Sequence, residues 1–422
     1  MKKPKIKVLE NGLTIVTIAT DNPSVTVMSL VQTGSRFENK KNNGISHFLE
    51  HMCFKGTESQ SGKDIMRYLD GLGAETNAFT SYEYTGYYVK SITQHWKKTL
   101  AVVSDIYLHS TFPEEEMNKE KGVIIGEISM YEDIPMRHVQ DIFTSLVYGD
   151  QPAGWSILGP RNNINAMTRN DFIEYHRAHY VASATTLVVA GNVHHADVVR
   201  EVREKFATIS GAKKSKKKPV RTRLGSPKIH CAYKKTDQTH LTLGYLSSGF
   251  HSRDTLVTKV IASLLGGGMS SRLFERLRED MGVGYYVHAH NNTQSDTGIL
   301  QVSCGVDSNR VAEVLGAIQQ EVRNLTTHLV PEKELAKTQE FIIGNTQMGL
   351  ESSDDLAYYY GQRVLFGLDT PTPRQFSQMI KSITPRDIKR VAKKIIKDNR
   401  LYLAMIGPHS KAKEKEFLKA LK

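Results

Sequence analysis

One short segment of the chain, GISHFLEHMCFKG, contains side chains whose types and spacing suit metal chemistry. His47 and His51 stand four positions apart, so on a helix their imidazoles lie one turn apart on the same face. Glu50 shares that neighbourhood, whereas the apolar residues of the segment form a separate helical stripe. Two histidines at this spacing can bind one Zn²⁺, and a carboxylate beside them can polarise a water held by the metal. The segment follows the H-x-x-E-H pattern, the reverse of H-E-x-x-H.

A catalytic zinc site usually takes a third protein ligand, and a helix predicted over residues 113–132 offers candidates. Its glutamates are Glu114, Glu115, Glu116, Glu120, Glu127 and Glu132. The first three fall in the first helical turn, where acidic side chains complement the helix dipole without a metal. Glu120 and Glu127 share one helix face, and Glu127 lies in the apolar run VIIGEISM. An unpaired carboxylate would be costly there, and a bound metal would explain it.

These motifs resemble those of the inverted-motif zinc peptidases, the family of pitrilysin, insulin-degrading enzyme and mitochondrial processing peptidase. The resemblance covers essentially the whole chain and is strongest to the short bacterial members close to the processing-peptidase β subunit. The run HFLEHMCFKGTE is similar to the family's HFLEHM-x-FKGT. The resemblance implies one Zn²⁺ per chain, with His47, His51 and Glu127 as ligands. It also implies a supporting carboxylate seven residues before the third ligand, at Glu120.

Two further segments resemble parts of the family that hold substrate. GAETNAFTSYEYTGYY is similar to the edge strand that takes up a peptide as an added β-strand, and Asn77 and Ala78 match it. RLREDMGVGYYV is similar to a C-terminal anchoring motif with an Arg and a Tyr seven positions apart, matched by Arg278 and Tyr285. The resemblance implies substrate binding by all four residues and a catalytic contribution from the last two. Without the resemblance, Arg278 would be interpreted as part of a solvated helix face and Tyr285 as a residue that packs within a strand.

The chain of 422 residues is long enough for two or more domains, and its halves repeat. Residues 164–192 match 380–408 without a gap, each typical of a Thr-capped helix followed by an apolar strand, and Gly34 matches Gly249. The predicted organisation is a catalytic zinc-binding domain over residues 1–212, a basic linker over 213–228 and a homologous substrate-anchoring domain over 229–422. Two matched domains on a flexible linker indicate a clamshell with a cleft.

Hydrophobic periodicity predicts the elements of the first half. The predicted strands span residues 4–19, 24–33, 74–80 and 83–92, the last two as a hairpin. The predicted helices span residues 44–55, 62–72, 94–109 and 113–132. Consecutive strands followed by consecutive helices predict an α+β fold, in which each domain is a largely antiparallel sheet with helices packed on one face.

Composition narrows the class of protein. The N-terminus has no signal-peptide pattern and the chain has no run of 18 apolar residues, so we expect a cytoplasmic protein without a membrane span. The net charge is +12, but residues 213–228 carry eight Lys or Arg and no acid, which leaves +4 for the rest. A solvated basic linker explains this better than nucleic-acid binding, since no aromatic residues interleave the basic ones. GGGMSSR lacks the Lys-Ser/Thr ending of a phosphate loop.

Several other side chains that could bind metals are better explained otherwise. Cys53 follows His51 by two positions, so a helix points it elsewhere, into the core. His176 and His179 have no acidic partner pattern and are predicted to lie on the surface. His288 and His290 share one face of a predicted strand and could chelate, but two ligands are weak evidence for a site.

The function that these residues predict is that of a soluble zinc endopeptidase acting on extended or unfolded peptides. Glu50 would take a proton from the zinc-bound water that attacks the scissile carbonyl, and would pass it to the leaving amine. Because processing peptidases pair two chains, we expect a homodimer. The competing hypothesis is a non-catalytic scaffold, since the family resemblance extends to inactive partner subunits. The presence on one chain of the whole set argues against it: His47, Glu50, His51, Glu127, Arg278 and Tyr285.

Overall fold

The computed structural model describes residues 3–222, 225 and 228–421, so four residues of the predicted linker, 223, 224, 226 and 227, lie outside the described part. The chain divides into two compact units. The first comprises Met1–Ser129, Ser156–Lys218 and Thr346–Pro373, and the second Met130–Trp155, Pro219–Asn345 and Arg374–Lys422. Each unit therefore includes one segment from the other half of the sequence. The predicted domain boundaries at residues 212 and 229 follow the sequence repeat and stay a prediction.

The first unit contains a six-stranded sheet. Its strands are β1 (Lys5–Val8), β2 (Thr14–Ala19), β3 (Ser24–Val31), β4 (Glu75–Thr80), β5 (Thr85–Ile92) and β6 (Thr185–Gly191). The spatial order is β1-β2-β6-β3-β5-β4, and only the β2–β6 pair is parallel. The predicted hairpin is confirmed as β4 and β5. The single strand predicted over residues 4–19 is wrong, because Gly12, with a φ of +94°, turns the chain between β1 and β2.

Most helices of the first unit pack on one face of this sheet, as predicted. They are α1 (Ile45–Met52), α2 (Gly62–Gly71), α3 (Trp96–Leu108), α4 (Glu114–Asp133), α6 (Arg161–Ala166), α7 (Arg169–His179) and α8 (His195–Lys205). The core between them contains alternate residues of β3, such as Val25 and Val27, together with Phe48 and Val103. This alternation places one face of β3 against the helices and leaves the other face to be covered separately.

A helix from far along the sequence covers that second face. Helix α13 (Ser353–Leu365) packs across β3 and β6. Gly361 permits the close approach, since a Cβ there would lie 2.7 Å from Leu30 Cδ1 and 2.8 Å from Val188 Cγ2. The predicted one-sided packing therefore accounts for most helices but not for α13.

The second unit has the same plan with five strands, β7 (Lys228–Tyr233), β8 (Gln238–Ser247), β9 (Gly284–Thr293), β10 (Gly298–Asp307) and β11 (Leu401–Gly407). Their order is β7-β11-β8-β10-β9, with only β7 and β11 parallel. The helices of the second unit are α5 (Pro135–Tyr148), α9 (Thr255–Gly266), α10 (Arg272–Phe274), α11 (Val311–Thr327), α12 (Glu332–Met348), α14 (Pro373–Lys381), α15 (Pro385–Ile395) and α16 (Glu414–Ala420). A π-helical turn, Glu275–Asp280, follows α10. Helix α5 covers the face of this sheet opposite the main core.

The sequence repeat is visible in local structure. Helix α7 begins at the capping box of Thr168 and Asp171, and α15 begins at the matching box of Thr384 and Asp387. In each box the threonine and aspartate side chains satisfy backbone N–H groups of the first turn. The prediction of two Thr-capped helices, each followed by a buried strand, is confirmed. Within the described ranges, every helix is too short or too polar to cross a lipid bilayer.

Candidate metal centre

The N-terminus of α1 is held by a buried carboxylate. Backbone N–H groups of Gly44 and Ser46 donate to Glu38 at 2.9 and 2.8 Å, and the Asn43 side-chain amide donates at 2.8 Å. Burial raises the pKa of Glu38, although these hydrogen bonds oppose the rise. Gly44 has a φ of +102°, and a Cβ there would lie 2.7 Å from the carbonyl oxygen of Leu158. Helix α1 therefore starts at a fixed position and orientation.

Three donor groups converge on one point of the first unit. The Nε2 atoms of His47 and His51 are 3.3 Å apart, and Glu127 Oε2 lies 3.6 Å from the first and 3.9 Å from the second. His47 is buried, while His51 and Glu127 are half-buried. Among the described residues, these three form the one group of His, Cys, Asp or Glu side chains close enough to share an ion.

The protonation state of His47 suits a metal ligand. Burial, and next the proximity of His51, lower the pKa of His47 to about 3, so its imidazole is neutral at pH 7. Its Nδ1 is buried and has no hydrogen-bond partner in the described part of the chain. Two imidazole nitrogens and one carboxylate oxygen match the ligand set of catalytic zinc sites. The residues present therefore fit Zn²⁺.

Glu120 lies behind the donor group, against His51. Its Oε1 is 2.8 Å from His51 Nδ1, and its Oε2 is 2.6 Å from Lys55 Nζ. Burial alone would lower the pKa of His51, but the hydrogen bond to Glu120 and nearby carboxylates outweigh it and raise that pKa. A carboxylate on Nδ1 fixes the imidazole so that Nε2 faces the metal. The geometry thus places Glu120 where a supporting residue is expected, outside the set of donors.

Glu50 is buried beside the donors without belonging to their group. Its Oε2 accepts a hydrogen bond of 2.8 Å from the Thr80 hydroxyl, at the end of β4. Burial raises the pKa of Glu50, while the bond to Thr80 opposes the rise. The carboxylate is thus held by a strand on one side and remains next to His51 on the other. A carboxylate in this position is a candidate for proton transfer to or from a group held at the donors.

Strand β4, which contains Asn77 and Ala78, lies at the edge of the sheet. It pairs with β5 on one side, and no other strand of the described chain pairs with it. Asn77 is exposed, and its Oδ1 accepts a hydrogen bond of 2.8 Å from the Ala78 N–H. An exposed side chain therefore satisfies a backbone donor of the edge, and the carbonyl of an added strand could replace it.

Arg278 and Tyr285 both lie in the second unit. Arg278 is in the π-helical turn, where its guanidinium lies 5.2 Å from the Phe274 ring centroid and 3.4 Å from the carbonyl oxygen of Tyr285. Tyr285 is the second residue of β9, and 63% of it is exposed. Both side chains are accessible, which a residue that binds substrate must be.

Two other predictions about side chains are tested by burial. Cys53 is fully buried, as predicted. The surface placement of His176 and His179 is wrong: both are half-buried, with His176 Nε2 2.8 Å from the Tyr107 carbonyl oxygen and His179 Nδ1 3.2 Å from Thr33 Oγ1. Each also stacks on a tyrosine of the helix α7 region.

Sequence reasoning missed Glu38, Lys55 and Thr80. Glu38 is separated from α1 by a loop, so its capping role depends on tertiary structure. Thr80 was inside the predicted edge strand, and its alternation with Phe79 could have indicated that it faces α1. Lys55 follows His51 by four positions, and a lysine there could have been paired with an acid of the facing helix.

The chain was compared with known proteins. The family model described as insulinase, peptidase family M16, matches residues 14–161, and that described as peptidase M16 inactive domain matches residues 166–341. An uncharacterised zinc protease of Bacillus subtilis, YmxG, is 33% identical over 408 residues, which is 94% of this chain and 97% of the relative. Uncharacterised zinc proteases of Rickettsia felis and Streptomyces coelicolor are 34% and 33% identical, over 96% and 95% of this chain and 97% and 88% of their own lengths.

The fold also matches solved structures. A protease from Helicobacter pylori aligns with a TM-score of 0.90 at 23% identity, covering 96% of this chain and 99% of the other. A peptidase M16 inactive domain from Pseudomonas fluorescens aligns with a TM-score of 0.89 at 16% identity, covering 96% and 98%. These likenesses support the α+β fold, and the matches in sequence confirm the predicted family and the enzyme class. The chain belongs to peptidase family M16, the insulinase family, whose relatives reported above are named zinc proteases.

Proposed function

We propose that this chain is a zinc endopeptidase that hydrolyses extended or unfolded peptides, with His47, His51 and Glu127 holding one Zn²⁺. The observation that carries the proposal is that three metal donors and a separate carboxylate, Glu50, lie side by side. Three donors lie within 4.8 Å of one another, while the carboxylate of Glu50 is held apart from them by Thr80. A structural zinc site takes four protein ligands, whereas a catalytic site takes three and keeps a fourth position open.

A bound zinc supplies Lewis acidity, which polarises the scissile carbonyl and makes a nearby water more acidic. Glu50 does the proton transfer. Its Oε2 is engaged by the Thr80 hydroxyl, so Oε1 is the atom that accepts the proton of the attacking water. The same carboxyl group then donates that proton to the nitrogen of the departing amine, which restores the carboxylate for the next cycle.

We propose that the free edge of β4 binds the substrate backbone. An extended peptide can add to an unpaired strand edge through main-chain hydrogen bonds, which a folded protein cannot do without unfolding. The Ala78 N–H, now bonded to Asn77 Oδ1, would be one donor to the peptide. This supports a preference for unfolded or flexible chains.

The family resemblance supports two further proposals. Arg278 and Tyr285 anchor the substrate and contribute to catalysis, consistent with their exposed positions in the second unit. Two copies of the chain associate as a homodimer, because processing peptidases pair two chains of this kind. Analytical ultracentrifugation of the purified protein tests the second proposal, and a single species of 47.4 kDa would contradict it.

The decisive experiment on the enzyme compares Glu50→Gln with the parent at equal zinc occupancy. Gln preserves the size of the side chain and its hydrogen bond to Thr80 but cannot accept a proton. We expect hydrolysis of an unfolded peptide to fall by about 10²–10⁴-fold while zinc content and fold are unchanged. Glu115→Gln, at an exposed carboxylate paired with Lys119, is the matched control and should behave like the parent.

A loss of less than about tenfold in Glu50→Gln would exclude Glu50 as the base. If the chain were a non-catalytic scaffold, the parent and Glu50→Gln would show the same absence of hydrolysis. Mass spectrometry of the products decides whether internal bonds are cut, as an endopeptidase requires.

A further inference from the structure

Helix α13 contacts the back of the edge strand β4, on the face opposite Thr80. Successive side chains of a strand alternate between faces, so Phe79 points away from the face that carries Thr80 and its bond to Glu50. The Phe79 ring meets the Tyr358 ring of α13 with centroids 5.4 Å apart and an interplanar angle of 69°. It also covers Gly86 of the neighbouring strand, where any Cβ would overlap the ring.

Hydrogen bonds extend this contact. The hydroxyl groups of Tyr358 and Tyr84 are hydrogen-bonded, and Gln362 Nε2 donates to the Tyr84 hydroxyl oxygen at 3.1 Å. Tyr84 belongs to the turn of the β4–β5 hairpin and packs edge-to-face on Phe79, with centroids 5.9 Å apart. The turn end of the hairpin is therefore attached to α13 through both rings and polar groups.

The opposite end of the hairpin is attached to the same helix by charge. Asp354 lies 2.9 Å from Lys90 Nζ, and Lys90 pairs in register with Glu75, the first residue of β4. Asp354, Tyr358 and Gln362 are spaced four residues apart, so they form one stripe along α13. We call these three residues the α13 stripe.

Helix α13 is itself fixed to the centre of the sheet. The Ser353 hydroxyl is buried and lies 2.8 Å from Thr26 Oγ1 of β3. Gly361 brings the helix backbone close to Leu30 and Val188. The α13 stripe is therefore fixed to the central strands, whereas β4 has, within the described ranges, a strand partner on one side alone. Because an edge strand has ladder hydrogen bonds along one side alone, side-chain packing across its faces contributes more to fixing its position.

We propose that the α13 stripe positions β4 for the binding of an extended peptide. Its members are positioning residues, since they act through Phe79, Tyr84 and Lys90 and touch no reacting group. The inference rests on the proposed role of the β4 edge in binding substrate. It assigns a function in the catalytic unit to a segment, Thr346–Pro373, that comes from the C-terminal half of the sequence.

The test combines hydrogen–deuterium exchange with kinetics on the full-length zinc-loaded protein. Tyr358→Ala removes the ring at a position that is 40% exposed, so the protein should still fold. We expect exchange of the β4 amides to become about tenfold faster and KM for an extended peptide to rise about tenfold, with zinc content and kcat nearly unchanged. Tyr358→Phe keeps the ring and should restore both values to within about threefold of the parent.

Tyr359→Ala is the matched control. It removes a tyrosine from the same helix, and the ring contacts of Tyr359 among the described residues are with Arg363 and Tyr360 of α13 itself. Parent-like exchange of β4 and a parent-like KM in Tyr358→Ala would overturn the inference, as would equal effects of the two alanine variants. If the parent cleaves no peptide, the proposed function fails, and the exchange of β4 still decides whether the stripe holds the strand.

Discussion

The two units have the same strand order, but the equivalent helices α1 and α9 carry different side chains. The order β2-β6-β3-β5-β4 of the first unit corresponds to β7-β11-β8-β10-β9 of the second. Gly34 and Gly249 stand 215 positions apart, and that offset aligns α1 with α9. It places Ala262 opposite His47, Leu265 opposite Glu50 and Gly266 opposite His51. The second unit therefore lacks all three chemical groups at the equivalent positions.

The difference changes the packing of the helix as well as its chemistry. Gly266 of α9 lies so close to β9 that a Cβ would be 2.6 Å from the Ala289 backbone nitrogen. Leu265 and Ala262 are buried in the core of their unit. In α1, by contrast, the helix meets β4 through the polar pair of Glu50 and Thr80. One fold thus supports either a polar site or a dry helix–sheet contact, and the side chains at three positions decide which.

Removing the third donor should erase most of the difference in metal binding between the units. In Glu127→Gln an anionic ligand becomes neutral, and we expect zinc affinity to fall by more than about 100-fold, since changing even a neighbour of a ligand costs about 10–100-fold. Metal analysis after dialysis against a chelator measures this. Glu116→Gln, at a half-buried carboxylate of the same helix that pairs with Lys119, should retain zinc like the parent.

Retention of zinc by Glu127→Gln as tight as in the parent would place the third ligand elsewhere. Glu120 would be the next candidate, although its two oxygens already contact His51 and Lys55.

The unit without metal ligands should still matter for turnover. If Arg278 and Tyr285 bind the substrate backbone, Arg278→Ala and Tyr285→Phe should each lower kcat/KM by about 10²-fold, as the loss of a positioned donor does, and leave zinc content intact. Arg276→Ala is the control, since Arg276 lies in the same turn but pairs with Asp280. Normal kinetics in both variants would confine catalysis to the first unit.

The sequence was informative where chemistry is local and silent where it depends on the fold. His47, Glu50 and His51 lie within one helical turn, so spacing alone placed them together. Glu127 was found through an apolar run and the family resemblance, and the structure brings it to the same point. The repeat was visible because two capping boxes preserve their sequence pattern.

The sequence could not predict that α5 and α13 each belong to the unit formed mainly by the other half of the chain. Helices α5 and α13 have ordinary amphipathic patterns, which indicate that one side is buried but not which sheet buries it. In the sequence, Glu38 is likewise an ordinary acidic residue of a loop, and only the fold places its carboxylate at the first turn of α1. Gly12 signals a turn, but the β-branched residues on both sides of it favoured one long strand.

A smaller effect is expected from the support behind His51. Glu120→Gln keeps an acceptor for Nδ1 but removes the charge shared with Lys55, so zinc affinity should fall by about 10–100-fold. Competition with a chromophoric chelator measures the change. If Glu120→Gln bound zinc as tightly as the parent, Glu120 would be a structural partner of Lys55 rather than a support for the ligand.

The smallest expected effect concerns the second unit, where α9 lies in close contact with β9. Gly266→Ala adds a Cβ 2.6 Å from the Ala289 nitrogen and 3.0 Å from its Cβ, and such overpacking costs about 1–3 kcal/mol. Alanine favours a helix over glycine by about 1 kcal/mol, so the overpacking should outweigh the gain and lower stability to urea. Gly344→Ala in α12 is the control, because nothing lies within 4 Å of its added Cβ, and it should raise stability by about 1 kcal/mol. If both variants were stabilised alike, α9 would not be in tight contact with β9. In that case packing would not explain why position 266 has no histidine, and the lack of metal chemistry in the second unit would be the remaining reason.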